Sequence, residues 1–159
     1  MIFINPLTLL VRKIALHRNA SHAPTRIIPL TELGKATVLV DMDADADFVS
    51  RDVKKFFDEH GIPVQVLNLQ KWDINIFGMM KKNKLQEMHD WDADLFISLA
   101  GPENFTAEYA SRCSRARFEV GRYDLPENVF DIVIANREHQ LPRQQVAFAT
   151  VKDYLLMII

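Results

Sequence analysis

From Lys35 onward, short apolar runs alternate with stretches whose apolar residues recur at helical spacing. The segments "KATVLVDMD" (35–43), "IPVQVLNL" (62–69) and "ADLFISLA" (93–100) are strand-length runs rich in apolar residues, the pattern of strands buried on both faces. Shorter strands are predicted at "RFEVGRY" (117–123) and "FDIVIA" (130–135). Between them, residues 45–61 place Phe48, Val49, Val53, Phe56 and Phe57 on one helical face and close on Gly61, where a C-terminal cap belongs. Residues 70–90 are less regular and predict a short helix around 84–89, while 103–116 and 142–158 read as further helices. Strands alternating with helices predict an α/β fold: a three-layer sandwich around a mainly parallel sheet of about five strands, Rossmann-like or flavodoxin-like.

Ahead of this lies a different segment. Leu7, Leu10, Val11 and Ile14 recur at i, i+3, i+4 and i+7, and Pro6 suits a first helical turn, so a helix over 6–20 is predicted. A polar, proline-containing linker follows to Gly34, which divides the chain into an N-terminal segment 1–34 and a single domain 35–159. No basic residue precedes the apolar start, and Arg12 and Lys13 interrupt it after about ten residues, short of the roughly 20 that span a bilayer. Neither a secretory signal nor a transmembrane helix is therefore expected. The apolar face is expected to dock on its own domain, on a second copy in a homodimer, or on another protein partner. A less common use of Leu7, Leu10, Val11, Arg12, Lys13, Ile14 and Arg18 is contact with an anionic membrane surface.

Composition narrows the function classes. A chain of 159 residues with 48% hydrophobic and 25% charged residues is an ordinary globular protein of one domain. Its net charge of −2 gives no reason to expect nucleic acid, although the first 35 residues hold five cations against one anion. The lone cysteine, Cys113, excludes an internal disulfide and suits a cytoplasmic setting. Its neighbours Arg112 and Arg115 would lower its pKa if they approached it, but burial in a helix is the commoner fate of cysteine. The five glycines are dispersed, which excludes a P-loop and a G-x-G-x-x-G fingerprint, and there is no G-x-S-x-G elbow. The five histidines lack metal-ligand spacing, so no metal and no cofactor are expected.

The run "VLVDMDADADF" (38–48) carries Asp41, Asp43, Asp45 and Asp47 at alternate positions. A haloacid-dehalogenase-like phosphatase has a D-x-D pattern after its first strand, but Asp45 stands where that pattern wants Thr or Val, and no later lysine and acidic pair completes it. A calcium loop fails on Ala46 where the sharp turn needs glycine, and on the strand that precedes it. Helix initiation explains most of the run: Asp43 or Asp45 as N-cap and Asp47 in the first turn. Asp41, ending the strand, lies at the carboxyl edge of the sheet and stays a site candidate.

The second candidate is "SLAGPENF" (98–105), a strand-to-helix turn whose free N–H groups attract anions. Ser98, Gly101 and Asn104 are its candidate ligand contacts, with Arg122 and Asn136 following two later strands toward the same edge. Ligands of open α/β sheets bind on that edge. A small molecule, phosphorylated or a nucleotide sugar, is the ligand this pool would suit. Turn formation by Gly101-Pro102, with Glu103 in the helix's first turn, is the simpler account of the same residues.

The whole layout, with "VLVDMD", "WDADLFISLAG", "ARFEVGRYD" and "FDIVIA", resembles a family of small α/β proteins from Bacteroidetes known only as a domain of unknown function. That resemblance implies a soluble α/β domain and assigns no catalytic residue. The stretch "WDADLFISLAGPENFTAEYASRCSRARFEVG" also resembles the acceptor-side half of lipopolysaccharide heptosyltransferases. Those enzymes need a second Rossmann-like domain for the donor. The expectation is a binding or interaction domain without catalysis of its own; an enzyme acting on a phosphorylated or nucleotide-sugar ligand is the alternative.

Overall fold

The computed structural model describes residues 5–18, 27–102, 104–134 and 143–158. Its centre is a sheet of β1 (Ala36–Leu39), β2 (Val64–Leu67), β3 (Leu95–Ser98), β4 (Phe118–Gly121) and β5 (Ile132–Val133). Every pairing is parallel and the strand order is β2-β1-β3-β4-β5. The helices are α1 (Pro6–Arg18), α2 (Ala46–Glu59), α3 (Lys82–Trp91), α4 (Phe105–Cys113) and α5 (Gln144–Met157). The predicted α/β sandwich with an added N-terminal helix is the observed fold. Strands are shorter than the apolar runs suggest: Val40, Leu99 and Ala100 lie just past the strand ends and are buried there, with Val40 and Leu99 still donating to the Leu67 and Leu39 carbonyls.

Strand alternation divides the core between two faces. Ala36, Val38, Leu95, Ile97, Phe118 and Val120 point to one side, where Val49, Val53 and Phe57 of α2 meet Phe148, Val151 and Leu155 of α5. Leu39 and Phe96 point to the other, where Met88 of α3 and Ala107, Ala110 and Cys113 of α4 cover them. The end of the predicted linker is not a spacer: Ile28, Leu30 and Leu33 are buried in the core on the α2/α5 side. Gly121 is set by packing, since a Cβ there would come within 2.1 Å of the Phe130 ring.

The helix α1 lies outside the sandwich, against α4. Arg12 fixes it by donating from Nε to the Phe77 carbonyl at 2.8 Å and by stacking its guanidinium 4.5 Å from the Phe105 ring. Gly78, at φ +86°, leaves the room this needs, as a Cβ there would lie 2.7 Å from Arg12 Nη2. Among the described residues no helix is long and apolar enough to cross a membrane.

Candidate functional site

The chain leaves β1 toward α2 on one face of the sheet and leaves β3 toward α4 on the other. Adjacent strands whose connections diverge in this way open a crevice at their carboxyl ends. A cavity of about 240 Å³ lies there, walled by Leu39, Met42, Leu69 and Ile74, with Asp41, Asn104 and Thr106 as its polar members. A smaller hollow of about 100 Å³ shares Ala100, Asn104 and Ala107 with it and extends past Ser98 and Gly101 toward Tyr123.

Asp41 joins the two loops. Its Oδ2 accepts the Gly101 N–H at 2.7 Å, and a Cβ on residue 101 would stand 3.1 Å from that oxygen. Its main chain is held from α5: the fully buried Gln144 accepts the Asp41 N–H at 2.6 Å and donates to the Asp41 carbonyl at 3.1 Å. The same Gln144 amide also donates to Asp43 Oδ1 and Asp45 Oδ1, both at 3.2 Å. Asp45 takes the N-cap position of α2, yet its side chain makes no bond to that helix. Instead its Oδ2 accepts the Gln145 N–H at 3.1 Å, so it serves the start of α5. Asp47 lies in the first turn of α2, where the sequence pattern puts it. Asp43 titrates above the ordinary carboxyl range, first because of its side-chain hydrogen bond with Asp45 and next because of burial; Asp45 titrates below it through the same bond. Among the described residues these acids do not converge into a group able to hold a metal.

The other predicted site residues fall in different places. Asn104 caps α4 by accepting the Ala107 N–H at 3.0 Å, and its side chain is at the same time part of both cavity walls. Ser98 is buried and reaches the smaller hollow. Arg122 is buried behind the edge and donates to the Leu99 carbonyl at 3.0 Å. Asn136 lies outside the described residues. The crevice thus brings Asp41, Gly101 and Asn104 together. Sequence reasoning missed Thr106, whose hydroxyl donates to the Gly78 carbonyl at 2.6 Å, and Gln144; neither has a local pattern that marks it.

This arrangement changes the charge expectation at the turn. The Gly101 N–H, which an anion would use, is engaged by a carboxylate. Among the described residues, no Lys, Arg or His lines either cavity.

A second feature is the outer side of α1. Leu7, Leu9, Leu10 and Ile14 are 48–60% exposed, while Val11 is partly buried. Next to them a groove of about 630 Å³ is lined by Leu10, Ile14, Leu16 and Pro126, with Lys13, Glu108, Arg112 and Glu127 as its charged members. Arg112 is buried and bonded to Glu108, Glu127 and the Pro126 carbonyl. Of Arg18, only its place at the end of α1 is described.

Three further groups are shifted by burial, Tyr109 while only partly buried. Cys113 is pushed up to about 11 and Tyr109 to about 12, in both cases chiefly by burial. Glu119, on β4, is pushed up to about 8 by burial, with the Asp131 charge adding and a bond from Ser114 opposing.

Fold and crevice together define a doubly wound, all-parallel α/β domain with the flavodoxin-like strand order. The chain belongs to a family of unknown function, DUF6913, which matches residues 63–158, from the approach to β2 to the end of α5. Compared with curated proteins and with solved structures, the chain finds no match.

Proposed function

We propose that this protein acts by binding, and that its partner is a second copy of itself, met through the outward face of α1. The carrying observation is that α1 is pinned to its own domain by Arg12 while four large apolar side chains on it stay about half exposed or more. A two-fold contact needs a self-complementary patch. This one supplies exposed apolar side chains beside a groove whose lining includes charges of both signs, Lys13 and Glu127. Light scattering at micromolar concentration is expected to give the mass of two chains, and a Leu10→Glu, Ile14→Glu double variant the mass of one. A single-chain mass for the unaltered protein overturns the reading. Binding to an anionic membrane has less support, because the Arg12 guanidinium is engaged with Phe77 and Phe105. Sedimentation with phosphatidylserine vesicles, with and without residues 1–20, separates the two: co-pelleting that depends on those residues favours the membrane.

A second reading is supported by the cavity at the β1/β3 divergence, the position where open α/β sheets hold ligands. The stretch resembling the heptosyltransferases forms β3, α4 and β4 and contributes Asn104, Thr106 and Ala107 to that cavity. The resemblance argues for a sugar-bearing ligand whose hydroxyls meet Asp41. Thermal-shift measurements with nucleotides, sugar phosphates and Mg²⁺ test it, and an unchanged melting temperature across the set counts against it.

A further inference from the structure

We infer that the crevice between β1 and β3 takes a small ligand bearing an ammonium group on an apolar body, with the ammonium on Asp41 Oδ1. The inference rests on the crevice being a ligand site and names the charge that the site selects. Asp41 has two carboxylate oxygens with different roles. Oδ2 is engaged by the Gly101 N–H, whereas Oδ1 has no hydrogen-bond partner among the described residues. The carboxylate is oriented by the Gly101 N–H on Oδ2, and Gln144 holds the Asp41 backbone beneath it by both its N–H and its carbonyl.

Among the described residues, no Lys, Arg or His lines the cavity beside this oxygen. The cavity walls are apolar apart from Asp41, Asn104 and Thr106. The Thr106 hydroxyl is donated to the Gly78 carbonyl, and Asn104 Oδ1 is occupied by the Ala107 N–H. Asp43 and Asp45, in the same loop as Asp41, are acids. Arg122 stands behind the edge on the Leu99 carbonyl, and Arg12 lies over Phe105. A ligand that seals this cavity takes Asp41 partly out of water, and a desolvated carboxylate is costly without a charged partner. A hydroxyl gives a hydrogen bond but no charge; an ammonium gives both. Phosphate and carboxylate ligands meet the opposite balance, since the N–H they need is already taken. At about 240 Å³ the cavity is below the range of drug-sized sites, roughly 300–1,000 Å³, so the ligand is compact.

The test is an amide-shift titration of the full chain by two-dimensional NMR with three probes of one shape: phenethylamine, 2-phenylethanol and 3-phenylpropionate. Saturable shifts at Met42, Gly101, Asn104, Thr106 and Ala107 are expected with phenethylamine, and binding roughly tenfold or more weaker with the other two, the worth of a charge-assisted hydrogen bond. Asp41→Asn keeps an oxygen for the Gly101 N–H while removing the charge, and is expected to bring the amine down to the level of the alcohol. Ala107→Phe fills the cavity and leaves Asp41 in place, and is expected to remove binding of all three. Equal binding of amine and alcohol, preference for the carboxylate, or an Asp41→Asn variant that still favours the amine overturns the charge assignment but leaves the crevice as a site. No shift with any probe, or shifts that Ala107→Phe does not alter, overturns both.

Discussion

One side-chain amide, that of Gln144, satisfies both backbone polar groups of Asp41, a residue 103 positions earlier in the chain. This links the first turn of α5 to the loop that carries the candidate carboxylate. Replacing Gln144 by Ala removes the acceptor of the Asp41 N–H and one of the two donors to its carbonyl, which keeps the Asp43 N–H, at an expected cost of about 1–2 kcal/mol in urea unfolding. Gln144→Glu is expected to cost more at neutral pH, because it loses the donor and adds charge beside Asp43 and Asp45, and to recover part of that loss near pH 4. Equal stability of the two variants across that range contradicts this account.

Glu119 gives the protein a pH dependence of the opposite sign to the usual buried acid pair. Its ordinary pKa of 4.5 is raised to about 8 in the fold, and it is only 4% exposed. Below 4.5 the carboxyl is protonated both folded and unfolded, and nothing is lost. Between 4.5 and about 8 the unfolded chain sheds this proton and the folded chain keeps it, so stability falls as pH rises. Glu119→Gln is expected to match the parent near pH 4.5 and to gain on it steadily as pH rises toward about 8. Denaturation at four pH values measures this difference; a gap that stays constant with pH refutes it.

Gly121 and Phe130 occupy one space. Gly121→Ala forces its new methyl against the Phe130 ring and is expected to destabilise by about 1–3 kcal/mol, as overpacked cores do. In a Phe130→Leu background most of that cost is expected to vanish, so the double-mutant cycle shows a large coupling. Additive effects would place the cost of the alanine elsewhere.

Arg12 holds α1 without being part of the sandwich core. Arg12→Ala is expected to raise amide exchange and protease cleavage within 6–18 while leaving exchange in β1, β3 and β4 unchanged. Gly78→Ala is expected to act similarly, through its left-handed backbone and the 2.7 Å approach to Arg12 Nη2. Core strands that loosen together with α1 would contradict a separate latch.

The apolar runs in 35–43, 62–69 and 93–100 are enough to predict a parallel sheet, because strands covered on both faces carry apolar side chains on both. Helix spacing likewise located α1, α2, α4 and α5, since one apolar face at period 3.6 is a local property. Helix α3 is longer than the 84–89 predicted; with Met88 as its single buried residue, it has little apolar periodicity to mark its ends. Asp41 was recognisable as a carboxylate at the sheet edge from its place after an apolar run.

The role of each acid was not recognisable. An N-cap pattern says that a helix N–H needs an oxygen, but not which helix, and Asp45 caps α5 across about 100 residues of chain rather than its own α2. Gln144 and Glu119 look like surface residues in sequence and are buried in the fold. What the sequence determined by itself is everything set by neighbours within a turn or a strand: the elements, their amphipathic faces and the parallel α/β class. What only the tertiary structure decided is which distant groups meet: Asp41 with Gly101 and Gln144, Gly121 with Phe130, and Arg12 with Phe105. Hydrogen bonds and close packing act over a few ångströms of space, and separation along the chain carries no record of that distance.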